Sequence, residues 1–165
     1  MKLHEIPKEE RVLIDANIFL YTHMRSSVDC FEFLDRCAEN LYSGFVPSHI
    51  MSEVMHVIML AEARKSGIVS GSNPAKQLSE KPGMIKSMWE YNAIMRNILD
   101  AGITIVPVNG EDLHSALRLQ RLHGLMTNDS IFLAVAHRLE IKAIASADKA
   151  FRNIPSIDLY EPGDL

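Results

Sequence analysis

A chain of 165 residues with 47% hydrophobic and 23% charged side chains has the make-up of one ordinary globular domain, expected to span 1–165. No run approaches the ~18 consecutive apolar residues of a membrane span, and the N-terminal Met-Lys-Leu-His-Glu-Ile-Pro-Lys-Glu-Glu is too charged for a secretory leader. With Cys30 and Cys37 in neither a CxxC nor a secreted disulfide pattern, a cytoplasmic protein is expected; the net charge of −4 weighs against gripping nucleic acid by phosphate neutralisation alone, an objection that bound divalent cations would lift.

Residues 11–15, Arg-Val-Leu-Ile-Asp, predict a short buried strand ending on a carboxylate, followed by a helix from Ala16 to about Met24. Ser26 or Ser27 is placed to cap a second helix, with Val28, Phe31, Leu34, Cys37, Ala38 and Leu41 as its apolar stripe. Gly44 to Pro47 reads as a brief extended piece, after which Ser48 caps a long helix to about Lys65, closed by Gly67. Gly67, Gly71, Ser72, Asn73, Pro74, Pro82 and Gly83 make 66–83 a loop around one short helix after Pro74. Met84 to Asp100 is amphipathic, with Met84, Met88, Trp89, Tyr91, Met95 and Ile98 expected inward.

Ile103 to Val108 predicts a β-branched strand, and Asn109 with Asp112 a capping box opening a helix that stops near Gly124. Thr127 or Asn128 is expected to cap a helix through Leu139, apolar nearly all round and therefore central. Ala143 to Ala147 is read as the last buried strand, with Asp148 at its end. Strands without alternation, separated by helices, predict a three-layer α/β/α fold with a short, mainly parallel sheet.

Four acids fall at similar ends of these elements. Asp15 and Asp148 follow apolar strands directly, where open parallel sheets bind ligands. Asp129 lies in the first turn of the buried helix and Glu53 in the second turn of the long one. Taken singly, each has a plain role: Asp15 and Asp148 as helix caps, Asp129 as a complement to the helix dipole, Glu53 as a solvated side chain. Taken together, they would repel one another unless a cation intervened, and hard oxygen donors suit Mg²⁺ or Mn²⁺.

The joint pattern resembles the PIN-domain family, especially its VapC-type toxins. The matching segments are Val12-Leu13-Ile14-Asp15-Ala16-Asn17, Ser52-Glu53-Val54, Asn128 to Ala136, and Ala145-Ser146-Ala147-Asp148-Lys149-Ala150-Phe151, with 66–100 the least typical stretch. The resemblance implies a metal-dependent endoribonuclease whose ligands are Asp15, Glu53, Asp129 and Asp148, helped by Asn17 and Ser146. Ser146 stands where the family often has Thr. It further implies Mg²⁺ or Mn²⁺ as cofactor, single-stranded or looped RNA as substrate, 5′-phosphate and 3′-hydroxyl products, a homodimer, and a cognate antitoxin.

Other features carry less. His49, Glu53 and His56 share a helical face, but a di-iron bundle needs a second Glu-x-x-His, which is lacking. Met51, Met55, Met59, Met84, Met88 and Met95 read as core or interface filler; Arg118, Arg121, His123 and Lys149 read as solvated surface that could also reach RNA. A haloacid-dehalogenase-like phosphatase needs a second Asp two residues past the nucleophile, where this chain has Asn17. A phosphorylated receiver domain needs an acidic pair after its first strand, and only Asp15 stands there. A PIN-fold RNA-binding module without catalysis is opposed by the intact carboxylates.

Overall fold

The computed structural model describes residues 1–165. Its strands are β1 (Arg11–Ile14), β2 (Ser43–Pro47), β3 (Thr104–Val106), β4 (Ala143–Ala145) and β5 (Asp158–Tyr160). They form one sheet in the order β3-β2-β1-β4-β5, every pair parallel. Helices α1 (Ala16–His23), α2 (Val28–Ala38), α3 (Ser48–Lys65), α4 (Pro74–Ser79), α5 (Pro82–Ser87), α6 (Glu90–Leu99), α7 (Gly110–His123) and α8 (Thr127–Arg138) complete the α/β/α sandwich. Val12, Leu13 and Ile14 of β1 and Ala143, Ile144 and Ala145 of β4 are all buried, so both faces of these strands are covered and no polar alternation is tolerated. The chain builds β1, β2 and β3 outward in one direction, then returns across the sheet to lay β4 and β5 on the far side of β1. Strand order therefore reverses between β1 and β4, the place where open α/β sheets leave a crevice for ligands.

Several local expectations are corrected. On α2 the buried positions are Cys30, Phe33 and Cys37, while Val28 and Phe31 are 66% and 57% exposed. Of the expected stripe, Cys37 is buried and Leu34 packs partly against the core, while packing turns Phe33 inward in place of Phe31. Ser27 is indeed the cap, its hydroxyl accepting from the Cys30 amide. Helix α3 begins on Ser48 with Pro47 as its N-cap, and the Ser48 hydroxyl accepts from Val108 N instead. Helix α8 likewise begins on Thr127 behind Met126, with no side-chain cap. Residues 84–100 are two helices, α5 and α6, broken at Met88 and Trp89; Met84 and Trp89 are exposed. The predicted strand 103–108 is only three residues long. A fifth strand, β5, follows the one expected to be last and pairs with β4.

The break between α5 and α6 has a cause in α3. Glu62, near its end, is buried, and its carboxylate accepts from the amides of Trp89 (3.3 Å), Glu90 (3.2 Å) and Tyr91 (2.6 Å). It supplies from outside the cap that Trp89 cannot. Met88 joins Ala63, Val69 and Leu78 in a small satellite core beneath α3 and α4, and Met95 enters the main core. Of the methionines read as core or interface filler, Met51, Met88 and Met95 are buried, while Met55 and Met84 stay exposed.

The Asn109–Asp112 capping box forms as predicted, and Gly124 closes α7 with φ 70°, a left-handed turn that glycine adopts freely. Asp112 also receives Arg138 through Nε (2.7 Å) and Nη2 (3.0 Å), which fastens α7 to the end of α8. Cys30 and Cys37 are buried free thiols; burial pushes them up to about 11 and about 12, out of the reactive range.

The two chain ends lie together. Glu161 N donates to Met1 O (2.9 Å) and Leu3 N to Glu161 O (3.1 Å). Asp164 accepts from Val28 N and from the Ser27 hydroxyl, both at 2.7 Å, and so caps α2 from the far end of the sequence.

Candidate active site

The crevice between β1 and β4 is where the sequence-predicted acids are found. Asp15 directly follows β1 and caps α1, its Oδ1 accepting from Ala16 N at 2.7 Å. Its Oδ2 accepts from both the Asn17 amide and the Ser146 hydroxyl. Asn17 ties the two strand ends together, because its Nδ2 also donates to Ser146 Oγ (3.1 Å) and its Oδ1 accepts from Ala147 N (2.9 Å). Ser146 is fully buried, and its hydroxyl oxygen additionally accepts from Asp148 N at 3.0 Å. A threonine there would offer the same hydroxyl, so the departure at this position leaves the network whole. Asp148 stands over this knot and caps the following 3-10 turn through Ala150 N (2.8 Å).

Glu53, half-buried on α3, and Asp129, in the first turn of α8, face the same crevice closely enough to act on the other acids. Burial pushes the Asp129 carboxyl up to about 6, with the charges of Asp148, Asp15 and Glu53 adding to it. Burial also raises Asp15; the Ser146 and Ala16 hydrogen bonds oppose that rise, and Asp148 and Glu53 reinforce it. None of the four takes part in an ion pair, all of which lie elsewhere: Arg36–Glu32, Lys65–Glu90, Arg138–Asp112 and Arg152–Glu161. The side chains are not drawn into a finished cage, since no three His, Cys, Asp or Glu groups stand at metal-ligating geometry. The donor set nevertheless fits a hard divalent cation: four carboxylates, surplus negative charge, and no lysine or arginine paired to it.

The contacts of two further residues at this site are not foreseeable from the sequence. Asn128 Nδ2 donates to Glu53 Oε2 at 2.9 Å, linking α8 to α3 beside Asp129. His49 Nε2 lies 3.2 Å from Asn128 O, and that acceptor assigns the hydrogen to Nε2. Its Nδ1 is then a buried acceptor without a partner, and burial holds the ring below the ordinary histidine range. His49 thus secures a backbone carbonyl, which argues for the ordinary histidine expected from the sequence; His56 is exposed. Nothing local in Asn128 or His49 points to this, because their partners lie 75 and 79 residues away. Arg118 and Arg121 are exposed on α7, and Lys149 is exposed beside Asp148.

A parallel sandwich with acids gathered at its switch point defines a broad class of α/β proteins, and comparison narrows it. The family model of the PIN domain matches residues 12–157, and the chain belongs to that family. No curated protein gives a significant sequence match. Among solved structures, the chain is similar to a toxin–antitoxin complex from Klebsiella pneumoniae, at 17% identity and TM-score 0.55, covering 89% of this chain and 95% of that one. It is also similar to VapBC2 from Rickettsia felis bound to a promoter DNA fragment, at 13% identity and TM-score 0.58, covering 92% and 98%. A DNA-bound VapBC from Salmonella typhimurium follows at 10% identity and TM-score 0.55, covering 92% and 98%. At these identities the likeness is one of fold. The asparagine at position 17 disfavours the phosphatase alternative, since its amide is committed to Asp15, Ser146 and Ala147 and offers no acid–base group.

Proposed function

We propose that this protein is a metal-dependent endoribonuclease, acting as the toxin of a toxin–antitoxin pair. The observation that carries the proposal is the unpaired charge at the switch point: Asp15, Glu53, Asp129 and Asp148 press on one another, and no cation of the chain answers them. Membership of the PIN family supports the nuclease reading. The fold shared with VapBC complexes supports the toxin reading and a cognate antitoxin partner.

In this reading the four acids would hold Mg²⁺ or Mn²⁺, which would supply Lewis-acid stabilisation of the phosphodiester and activation of the attacking water. The residues of the chain set the geometry. Asn17 and Ser146 fix the rotamer of Asp15, Ala150 N fixes Asp148, and Asn128 holds one oxygen of Glu53. Asp129 has no hydrogen bond tying down its carboxylate and keeps both oxygens for ligand. Single-stranded RNA suits such a site, because its backbone bends into a recess that a duplex cannot enter.

An antitoxin segment has a receptive surface in the apolar groove of about 530 Å³ between α1, α2 and α6, lined by Phe19, Phe31, Leu34, Ile94 and Ile98. Homodimerisation is part of the proposal, supported by exposed Leu113, Leu117, Leu122 and Met126 on α7 and before α8; light scattering reports it directly. The deciding experiment incubates the purified protein with total cellular RNA and Mn²⁺. Discrete cleavage that stops on adding EDTA is expected; cleavage that continues in EDTA overturns the mechanism.

A further inference from the structure

A second recess adjoins the acids on the side of α1 and carries chemistry that the four carboxylates do not need. It is an open recess of about 370 Å³ lined by Asn17, Tyr21, Ala147, Asp148 and Lys149. Tyr21 lies one helical turn beyond Asn17 on α1, so the two share a face. Lys149 follows Asp148 immediately, is exposed, and belongs to none of the ion pairs of the structure. Asp148 forms a wall shared with the acid cluster, so whatever fills this recess sits next to the reacting centre.

The combination has an electrostatic sense. Four carboxylates repel a polyanion, and a strand approaching them gains from a cation close to its backbone and a surface for its bases. Lysine offers a point charge for phosphate, and a half-buried tyrosine offers a ring already ordered by packing, so little conformational entropy is lost on stacking. Sequence alone makes Lys149 a solvated surface residue that could also reach RNA and gives Tyr21 no role. Only the fold brings the end of α1 beside the end of β4.

We infer that Tyr21 and Lys149 form a nucleotide subsite flanking the scissile phosphate, the ring stacking on one unpaired base and the ammonium holding the neighbouring phosphate of single-stranded RNA. This rests on the nuclease reading above for the identity of the ligand. Stacking on a ring tolerates any base, so the subsite adds affinity without sequence preference.

The test is fluorescence anisotropy with a labelled random-sequence hexaribonucleotide and Ca²⁺, using full-length protein and the variants Tyr21→Phe, Tyr21→Leu and Lys149→Ala. Tyr21→Leu keeps apolar bulk against the core while removing the aromatic face, and melting curves check that it folds. Tyr21→Phe is expected to bind as wild type and Tyr21→Leu about tenfold more weakly, in line with the loss of one base stack. Lys149→Ala should weaken binding and lower the slope of log K against log salt by about 0.7, the share of one phosphate contact on a single strand. With Mn²⁺, Tyr21→Leu should raise KM and leave kcat within about twofold, because uniform binding is what it removes. A folded Tyr21→Leu that binds as tightly as wild type overturns the inference, as does a loss that Tyr21→Phe shares. Wild-type protein that binds the RNA but cuts none with Mn²⁺ overturns the nuclease reading and leaves the subsite to be judged on the binding data alone. Wild-type protein that binds no RNA overturns both.

Discussion

Two kinds of place in this molecule bury carboxylates, and they treat them in opposite ways. At the start of α7, Asp112 is almost wholly enclosed and fully answered: two contacts from Arg138 and one from the Asn109 amide. Burial pushes this carboxyl up, but the Arg138 hydrogen bonds and charge and the Asn109 amide outweigh it, and it ends below the ordinary range. Glu62 is treated the same way with three backbone amides. At the switch point, Asp15 and Asp129 are raised, and the nearest charges are other acids. The same residue type is thus structural where its charge is neutralised and strained where it is not. Unanswered charge of this kind is a mark of a functional site.

The largest expected effect breaks the comparison on activity. Asp148→Asn or Asp129→Asn preserves size and, for Asp148, most capping ability. In the proposed mechanism cleavage should fall by more than the about 10–100-fold that losing an outer partner of a metal site costs, while the metal-free melting temperature holds or rises. A variant that cuts near the wild-type rate, or that unfolds, would place these acids with Asp112. The converse substitution tests the other region. Asp112→Ala leaves the Arg138 charge without its partner and removes half of the capping box, so urea titration should show a loss of about 3 kcal/mol, the low end for a broken buried pair because Arg138 is partly exposed.

A smaller effect probes the link between regions. Asn128→Ala frees Glu53 and is expected to weaken Mn²⁺ binding by about tenfold, as outer-shell losses do, read by calorimetric titration. An unchanged affinity would show that Glu53 needs no such support. The smallest effect is in pH. Asp129 keeps its proton in the folded state up to about 6 and loses it near 3.8 when unfolded. Its contribution is therefore fully present below pH 3.8 and is lost as pH rises through about 6, so metal-free stability should slope downward across that window. Asp112 has the opposite sign: its contribution is present above 3.8 and lost as pH falls through its depressed value. Denaturant melts at stepped pH should show both slopes, and saturating Mn²⁺ should flatten the first.

How far the sequence could be read follows from the range of each interaction. Asp15 and Asp148 are legible because each closes a short apolar run that predicts a strand, whereas Asn17 and Ser146 come only with the resemblance to the PIN family. The Asn109–Asp112 box was legible because it is closed within three residues. Glu62 was not, since a glutamate in the last turns of an exposed helix looks solvated until Trp89, Glu90 and Tyr91 fold back onto it. Strand β5 was missed because Asp-Leu-Tyr is too short to carry a period, and only the open edge of β4 makes it a strand. Ser48 and Thr127 were read as caps, yet each became the first helical residue, where the residue before it sets the extended backbone. The role of Asn128 rests on a partner in another helix, which no local pattern encodes.

The meeting of the chain ends has a topological consequence. With Glu161 hydrogen-bonded to Met1 and Asp164 clamped on the start of α2, the first and last segments of the fold lie side by side. A brief flexible linker between the ends would let the covalent opening move elsewhere, and the exposed turn at Gly71 and Ser72 is the natural place for it. Such a circular permutant would keep every strand beside its present neighbours and leave the switch point untouched. The polypeptide would then begin among its least regular residues, with α3 joined covalently to the rest only through β2.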